Sequence, residues 1–177
     1  MNGAARIGLL QVYTGDGKGK TTAAVGLALR MAGHGFRVYL LQFMKGDPNY
    51  GEILALRAVP KVEILQSGLP TFVRKGAPGP EDLRLARAGL ETAREILSAG
   101  RHALVILDEI LCAVDYGLLR ESELLDLIDG KPAQVELVLT GRNAPAEVIR
   151  RADLVSEIRE VNHPYRRGVA AREGIEY

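Results

Sequence analysis

The sequence predicts one α/β domain, a mostly parallel six-stranded sheet with helices on both faces. Three observations carry that reading. Short apolar runs alternate with longer segments of helical period. The runs are apolar without alternation, as strands covered on both faces are. A glycine-rich turn joins the first run to the first helix. With 177 residues, 47% hydrophobic and 25% charged, the chain suits a single globular domain over 1–177 with a continuous core.

Ile7–Tyr13 reads as the first strand, closed by the loop Thr14–Gly19. Lys20–Gly33 follows as a helix apolar nearly all round, expected to be buried, with Gly33 as its stop. Arg37–Phe43 is the second strand, Gly51–Ala58 a short helix and Val62–Gln66 the third strand. Ser67–Gly79 has no period and reads as a loop, after which Pro80 occupies a first helical position. The helix it opens sets Leu83, Ala86, Leu90, Ala93 and Leu97 on one stripe, the pattern of an amphipathic helix on a sheet. Ala103–Leu107 is the fourth strand, Glu121–Ile128 a helix, Val135–Thr140 the fifth strand, Pro145–Ala152 a helix and Leu154–Val161 the sixth strand.

Composition excludes several classes. The net charge is +1 and the basic residues are scattered, with three Phe, six Tyr and no Trp, which argues against a nucleic-acid partner. The single cysteine, Cys112, permits no intrachain disulfide and suits a reducing compartment. No stretch reaches the roughly 18 apolar residues of a membrane span. A soluble cytoplasmic protein is expected.

Thr14-Gly15-Asp16-Gly17-Lys18-Gly19-Lys20-Thr21-Thr22 lies between a strand and a helix, the setting a phosphate-binding P-loop requires. Glycines let successive backbone N–H groups curl inward, and the helix N-terminus adds its own unpaired donors. Lys20 places a charge on the phosphates, and the Thr21 hydroxyl is a ligand for Mg²⁺. Thr14 stands where the usual pattern begins with Gly, so Gly15 and Gly17 are expected to supply the flexibility. Lys18 either adds charge at the phosphates or faces water.

Asp108-Glu109 ends the fourth strand. A parallel sheet sets its strand C-termini on the P-loop edge, where ligands bind. In P-loop proteins an acid so placed holds Mg²⁺ or its water beside the loop threonine. Either carboxylate also suits a helix cap. Arg142, after the fifth strand, is expected on the same edge as a planar cation for phosphate. His34 and His102 have no partner at metal-ligand spacing, and Cys112 reads as a small buried thiol.

These features resemble the ATP:corrinoid adenosyltransferases of the CobA/CobO type, P-loop proteins of the RecA-like kind. The resemblance spans nearly the whole chain. It runs through Tyr13 to Ala24, Gln42-Phe43-Met44-Lys45-Gly46, Leu107-Asp108-Glu109, Leu139-Thr140-Gly141-Arg142, Ala152 to Glu157, and the ending Gly168-Val169, Ala171, Gly174-Ile175 and Tyr177. It implies transfer of the 5′-deoxyadenosyl group of ATP to the cobalt of a reduced corrinoid, with triphosphate leaving, in adenosylcobalamin synthesis and salvage. Gly15, Asp16, Gly17, Lys18, Gly19, Lys20, Thr21, Thr22 and Arg142 are then expected on ATP. Mg²⁺ (or Mn²⁺) is expected on Thr21 with Asp108 or Glu109. Lys20, Arg142 and Glu109 would stabilise charge on the departing triphosphate. Phe43-Met44-Lys45-Gly46 is expected to form part of the nucleotide or corrin wall, with Phe43 at the corrinoid or simply core, and Phe72 is expected at the corrinoid. The resemblance also implies a cytoplasmic homodimer and admits a flavin-type electron donor.

Two departures from the family stand out. Some relatives carry a Phe and a Trp in the loop after the third strand, whereas here that loop holds Phe72 alone and the chain has no Trp. Some carry an N-terminal lid, and only Met1–Arg6 precede the first strand here, so a lid is expected to be missing. The alternatives are another P-loop ATPase or kinase cleaving at the γ-phosphate and a nucleotide-switched binding module.

Overall fold

The computed structural model describes residues 7–177; Met1–Arg6, on which the expectation about a lid falls, lie outside the described residues. Six strands follow in chain order: β1 (Leu10–Thr14), β2 (Val38–Phe43), β3 (Val62–Ser67), β4 (Leu104–Asp108), β5 (Glu136–Thr140) and β6 (Leu154–Glu157). They form one sheet in the order β3-β2-β4-β5-β1-β6, and every pairing is parallel. Between them run α1 (Lys20–Gly33), α2 (Gly51–Arg57), α3 (Pro80–Ala99), α4 (Ile110–Asp115), α5 (Glu121–Asp129) and α6 (Ala146–Arg151).

Successive strand side chains point to opposite faces, and here both faces are apolar. On one, Val38, Leu40, Leu104, Ile106 and Val138 pack with Ala24 and Ala28 of α1 and Leu56 of α2. On the other, Tyr39, Leu41, Phe43, Val105, Leu107, Leu137 and Leu139 pack with α3, α4, α5 and Val148 of α6. This two-sided burial is why the strand sequences show no alternation. The expected α/β architecture with helices on both faces is present.

Two expectations need correction, and one helix goes beyond them. Helix α1 buries only Lys20, Ala24 and Ala28, and Leu29 stays 46% exposed. An i, i+4 row is fully buried against the sheet, while Val25, Leu27 and Met31 pack beside it only partly buried. Strand β6 ends at Glu157 rather than Val161, and all four of its residues are exposed at the sheet edge. Ile158 leaves the ladder to run along the P-loop, donating from its N–H to the Thr14 carbonyl at 2.8 Å and accepting from Gly17 N at 2.8 Å. Helix α4 gave no periodic signal, because Ile110, Leu111, Cys112 and Ala113 are all buried and leave it no polar face.

Phe43 is fully buried and packs under α3, where its ring leaves room for no side chain at Gly89. A Cβ there would stand 2.5 Å from Ser67 Oγ and 3.0 Å from the Phe43 ring. Of the two readings of Phe43, core or corrinoid wall, its position in this packing makes it core. Phe43→Ala should cost about 3–5 kcal/mol of stability, read from chemical unfolding, and leave corrinoid KM unchanged at a temperature where the variant is folded.

Candidate functional site

The P-loop glycines answer different constraints. Gly15 (φ 96°) and Gly19 (φ 126°) hold left-handed backbone that L side chains rarely adopt. Gly17 is required by proximity, since a Cβ there would lie 2.7 Å from the Arg159 carbonyl carbon. The Asp16 carboxylate accepts from Glu160 N at 3.0 Å, and that backbone donor is the main cause holding its pKa below the ordinary value. Asp16 thus ties the 158–160 segment to the loop and does not line the cleft beside it.

That cleft, of about 720 Å³, opens along the C-terminal ends of the strands, a size in the range of small-molecule sites. Gly17, Lys18, Gly19, Lys20, Thr21 and Thr22 form one wall, joined by Glu109 and Arg142 from the ends of β4 and β5. Lys45, Phe72 and the C-terminal Gly174–Tyr177 stand elsewhere around it. Gly15, Asp108 and Phe43 lie behind the lining. Of the sequence-predicted residues, Gly17 to Thr22, Glu109, Arg142 and Phe72 therefore meet at one cleft, with Phe72 fully exposed at its rim, while Gly15, Asp16, Phe43 and Asp108 stand outside the lining.

Lys20 Nζ donates to the Gly15 and Gly17 carbonyls, each at 2.7 Å, so the loop encircles its own cation. Burial is the leading cause that pulls the Lys20 pKa down, with the Glu109 charge opposing it. The Lys18 ammonium, exposed on the cleft wall, donates to the Ile175 carbonyl at 2.8 Å and ties the C-terminal tail to the loop. Arg142 reaches the Asp16 carbonyl at 3.3 Å while its own N–H donates to Cys112 Sγ.

Behind the loop, Asp108 is fully buried. Its Oδ1 accepts from Thr140 Oγ1 (2.6 Å) and Thr21 Oγ1 (2.9 Å); its Oδ2 accepts from Lys45 Nζ (2.8 Å) and Gln42 Nε2 (3.1 Å). One strand, β5, separates β1 from β4, and Thr140 at its end bridges the gap, also accepting from Glu109 N at 3.0 Å. Lys45 is pulled down by burial, but Asp108, Glu109 and Glu52 together outweigh this and raise its pKa above an ordinary lysine's. Sequence reasoning placed Lys45 at the wall of the site only as part of the segment Phe43–Gly46, and missed Gln42 and Thr140 as site residues. Their only signal was membership of the segments Gln42–Gly46 and Leu139–Arg142.

Two non-glycine residues with left-handed backbone line this cleft just past strand ends, Met44 (φ 58°) and Glu109 (φ 61°), and Asn143 (φ 54°) follows β5 outside the lining. Asn tolerates this conformation, but Met and Glu are strained in it. Such strain concentrates where side chains are aimed for function. Glu109 is turned by it into the cleft while Asp108, one residue earlier, points into the core.

Among the described residues, no cluster of three or more His, Cys, Asp and Glu is arranged to cage a metal. His102 is buried at the far end of β4, with Nε2 3.1 Å from Glu63. Among the described residues, no helix is long and apolar enough to cross a membrane.

A glycine loop after a strand, a lysine at its centre, and a buried acid one strand away define a P-loop nucleotide-binding enzyme. The model of the family described as "ATP:corrinoid adenosyltransferase BtuR/CobO/CobP" matches residues 6–177. The chain is also 35% identical to the corrinoid adenosyltransferase of Escherichia coli K12, over 96% of this chain and 86% of that protein. It is 34% identical to the corrinoid adenosyltransferase of Pseudomonas aeruginosa, over 96% of this chain and 84% of that one. The Salmonella typhimurium enzyme, corrinoid adenosyltransferase CobA, is 34% identical over 96% of this chain and 86% of its own. The chain belongs to the ATP:corrinoid adenosyltransferase family and is a transferase.

Cys112 lines the cleft, yet burial first, and then the Glu109 charge, push its thiol up to about 12. Against its ordinary 9.0, this leaves on the order of 10³ less thiolate near neutral pH. Iodoacetamide at pH 8 should therefore leave Cys112 unmodified in the folded protein and alkylate it after unfolding, as read by intact mass.

Proposed function

We propose that the cleft transfers the 5′-deoxyadenosyl group of ATP to the cobalt(I) of a corrinoid, releasing triphosphate, in adenosylcobalamin synthesis and salvage. The observation that carries this reading is the convergence of the Gly17–Thr22 wall, Glu109 and Arg142 on one cleft with an exposed aromatic, Phe72, at its rim, in a chain of this family.

Cobalt(I) is itself a strong nucleophile, so the protein has no proton to remove before attack on the 5′ carbon. What it must supply is alignment and stabilisation of the negative charge gathering on the leaving triphosphate. The α1 N-terminus offers unpaired backbone donors with no acidic residue in its first turn to oppose an anion. Lys20, held in the ring of loop carbonyls, exchanges those carbonyls for phosphate oxygens. Arg142, held only by a 3.3 Å contact to Asp16, is free to swing onto the outer phosphates. The C-terminal tail, pinned by Lys18, helps keep water from the reacting atoms.

The residues present fit a divalent ion that arrives with ATP. Thr21 and the buried Asp108 already surround one cation, the Lys45 ammonium, and Glu109 projects beside them. So few protein ligands suit Mg²⁺ (or Mn²⁺), which keeps waters and takes the rest of its shell from phosphate. When bound, it would neutralise charge on the triphosphate.

Phe72 is assigned to the corrinoid face on its exposure at the rim. The active form is proposed to be a cytoplasmic homodimer. Support comes from β6, an edge strand with Leu154 and Val155 both 41% exposed, a feature that single chains usually cover. A flavin-type donor is proposed to supply the electron that makes cobalt(I).

Anaerobic incubation with ATP, Mg²⁺ and cob(I)alamin should give free triphosphate and a light-sensitive cobalt–carbon spectrum. Phosphate or ADP as the product would overturn the reading. Lys20→Ala should lower turnover by about 10²–10³-fold with unchanged circular dichroism. Phe72→Ala should spare the reaction from prepared cob(I)alamin and slow the one starting from cob(II)alamin; equal effects on both would remove Phe72 from that role.

A further inference from the structure

The Lys45 ammonium lies 2.8 Å from Asp108 Oδ2, 3.3 Å from Thr21 Oγ1 and 4.0 Å from Glu52 Oε1. Two of these oxygens belong to the residues assigned above to the divalent ion. One position cannot hold both cations, since their repulsion at contact distance, away from water, is only weakly screened.

Nor is Lys45 there by accident of a flexible side chain. Its backbone approach is built: Met44 turns left-handed just before it. Gly46 lies so close to β3 that a Cβ would stand 2.2 Å from the Gly68 carbonyl oxygen. A Cβ on Gly68 would in turn stand 2.4 Å from Lys45 N. The chain is thus held where the lysine stem reaches across to β4.

The charge balance explains why a cation is needed at this point at all times. Asp108 is fully buried, and its neutral donors Thr21, Thr140 and Gln42 satisfy lone pairs without cancelling charge. A buried carboxylate without a counter-charge is costly. Lys45 is the only cation hydrogen-bonded to it among the described residues.

We propose that Lys45 is a resident counter-ion that holds the metal position until nucleotide arrives, then yields it and moves onto the triphosphate. The proposal rests on the metal reading given above. The cleft that Lys45 lines gives the displaced ammonium somewhere to go only when a polyanion fills it. Metal alone is therefore kept out, and metal with ATP is admitted. The lysine would then pair with the negative charge that enters with the metal, adding to Lys20 and Arg142 on the leaving group.

The test is Mn²⁺ binding to the full chain without nucleotide, followed by electron paramagnetic resonance, in the wild type, Lys45→Met and Lys45→Met with Thr21→Val. Lys45→Met should bind Mn²⁺ at least about tenfold tighter than the wild type, with the gain lost in the double variant. Equal affinity in the wild type and Lys45→Met overturns the counter-ion role. A gain that survives Thr21→Val shows that the ion binds elsewhere and overturns the metal reading itself. If Lys45→Met does not fold, wild-type crystals soaked in Mn²⁺ decide the matter. No anomalous peak between Thr21 and Asp108 is expected without nucleotide, and a peak there with it; a peak without nucleotide contradicts the proposal.

Discussion

A carboxylate sealed from water has to find its partners within the protein, and Asp108 sets the terms for everything around it. Its donors come from α1 (Thr21), the end of β5 (Thr140), β2 (Gln42) and the turn after β2 (Lys45). Each of these has to be delivered to within 3.1 Å of a single side chain. The P-loop helix, the strand order and the tight β2–β3 ends are thereby coupled. The same group that organises the interior sits directly behind the phosphate site, so binding chemistry and folding share one electrostatic anchor.

Much of this was legible in the sequence because it is local. Gly15–Thr22 is a contiguous loop whose geometry follows from its own glycines and its place between strand and helix. The strands were readable from apolar runs, with ends misplaced by a few residues where the chain bends toward the loop, as at Ile158. What lies beyond local reading is pairing across distance. Lys45 and Gln42 meet Asp108 over separations of 63 and 66 positions, and Thr140 over 32. No period marks them. Lys18 illustrates the same limit, since its partner, the Ile175 carbonyl, lies 157 residues away. The burial expected of α1 failed for a different reason: apolar composition says that a helix is able to be buried, and only the layer count says whether anything covers it.

The chemistry of the family gives a use to the cations that line the cleft, Lys18, Lys20, Lys45 and Arg142. Attack by cobalt on carbon needs no proton transfer, so His163 and Glu176 at the margin need not act as bases. In the function proposed above, the left-handed Glu109 backbone, the Lys20 ring of carbonyls and the tail held by Lys18 would serve position rather than proton movement. Precise placement of this kind is where unimolecular rate advantage comes from. Away from the P-loop the cleft is lined by Met44, Leu69, Pro70 and the exposed Phe72 together with charged groups such as Lys45 and Glu52.

The orientation of ATP is the claim on which the rest turns. A crystal structure with Mg²⁺ and a non-reactive ATP analogue would test it most directly. The triphosphate should lie on Gly17–Thr22 with the 5′ carbon turned toward the open side beside Phe72. A γ-phosphorus facing that side, with the ribose buried against the P-loop wall, would contradict the account.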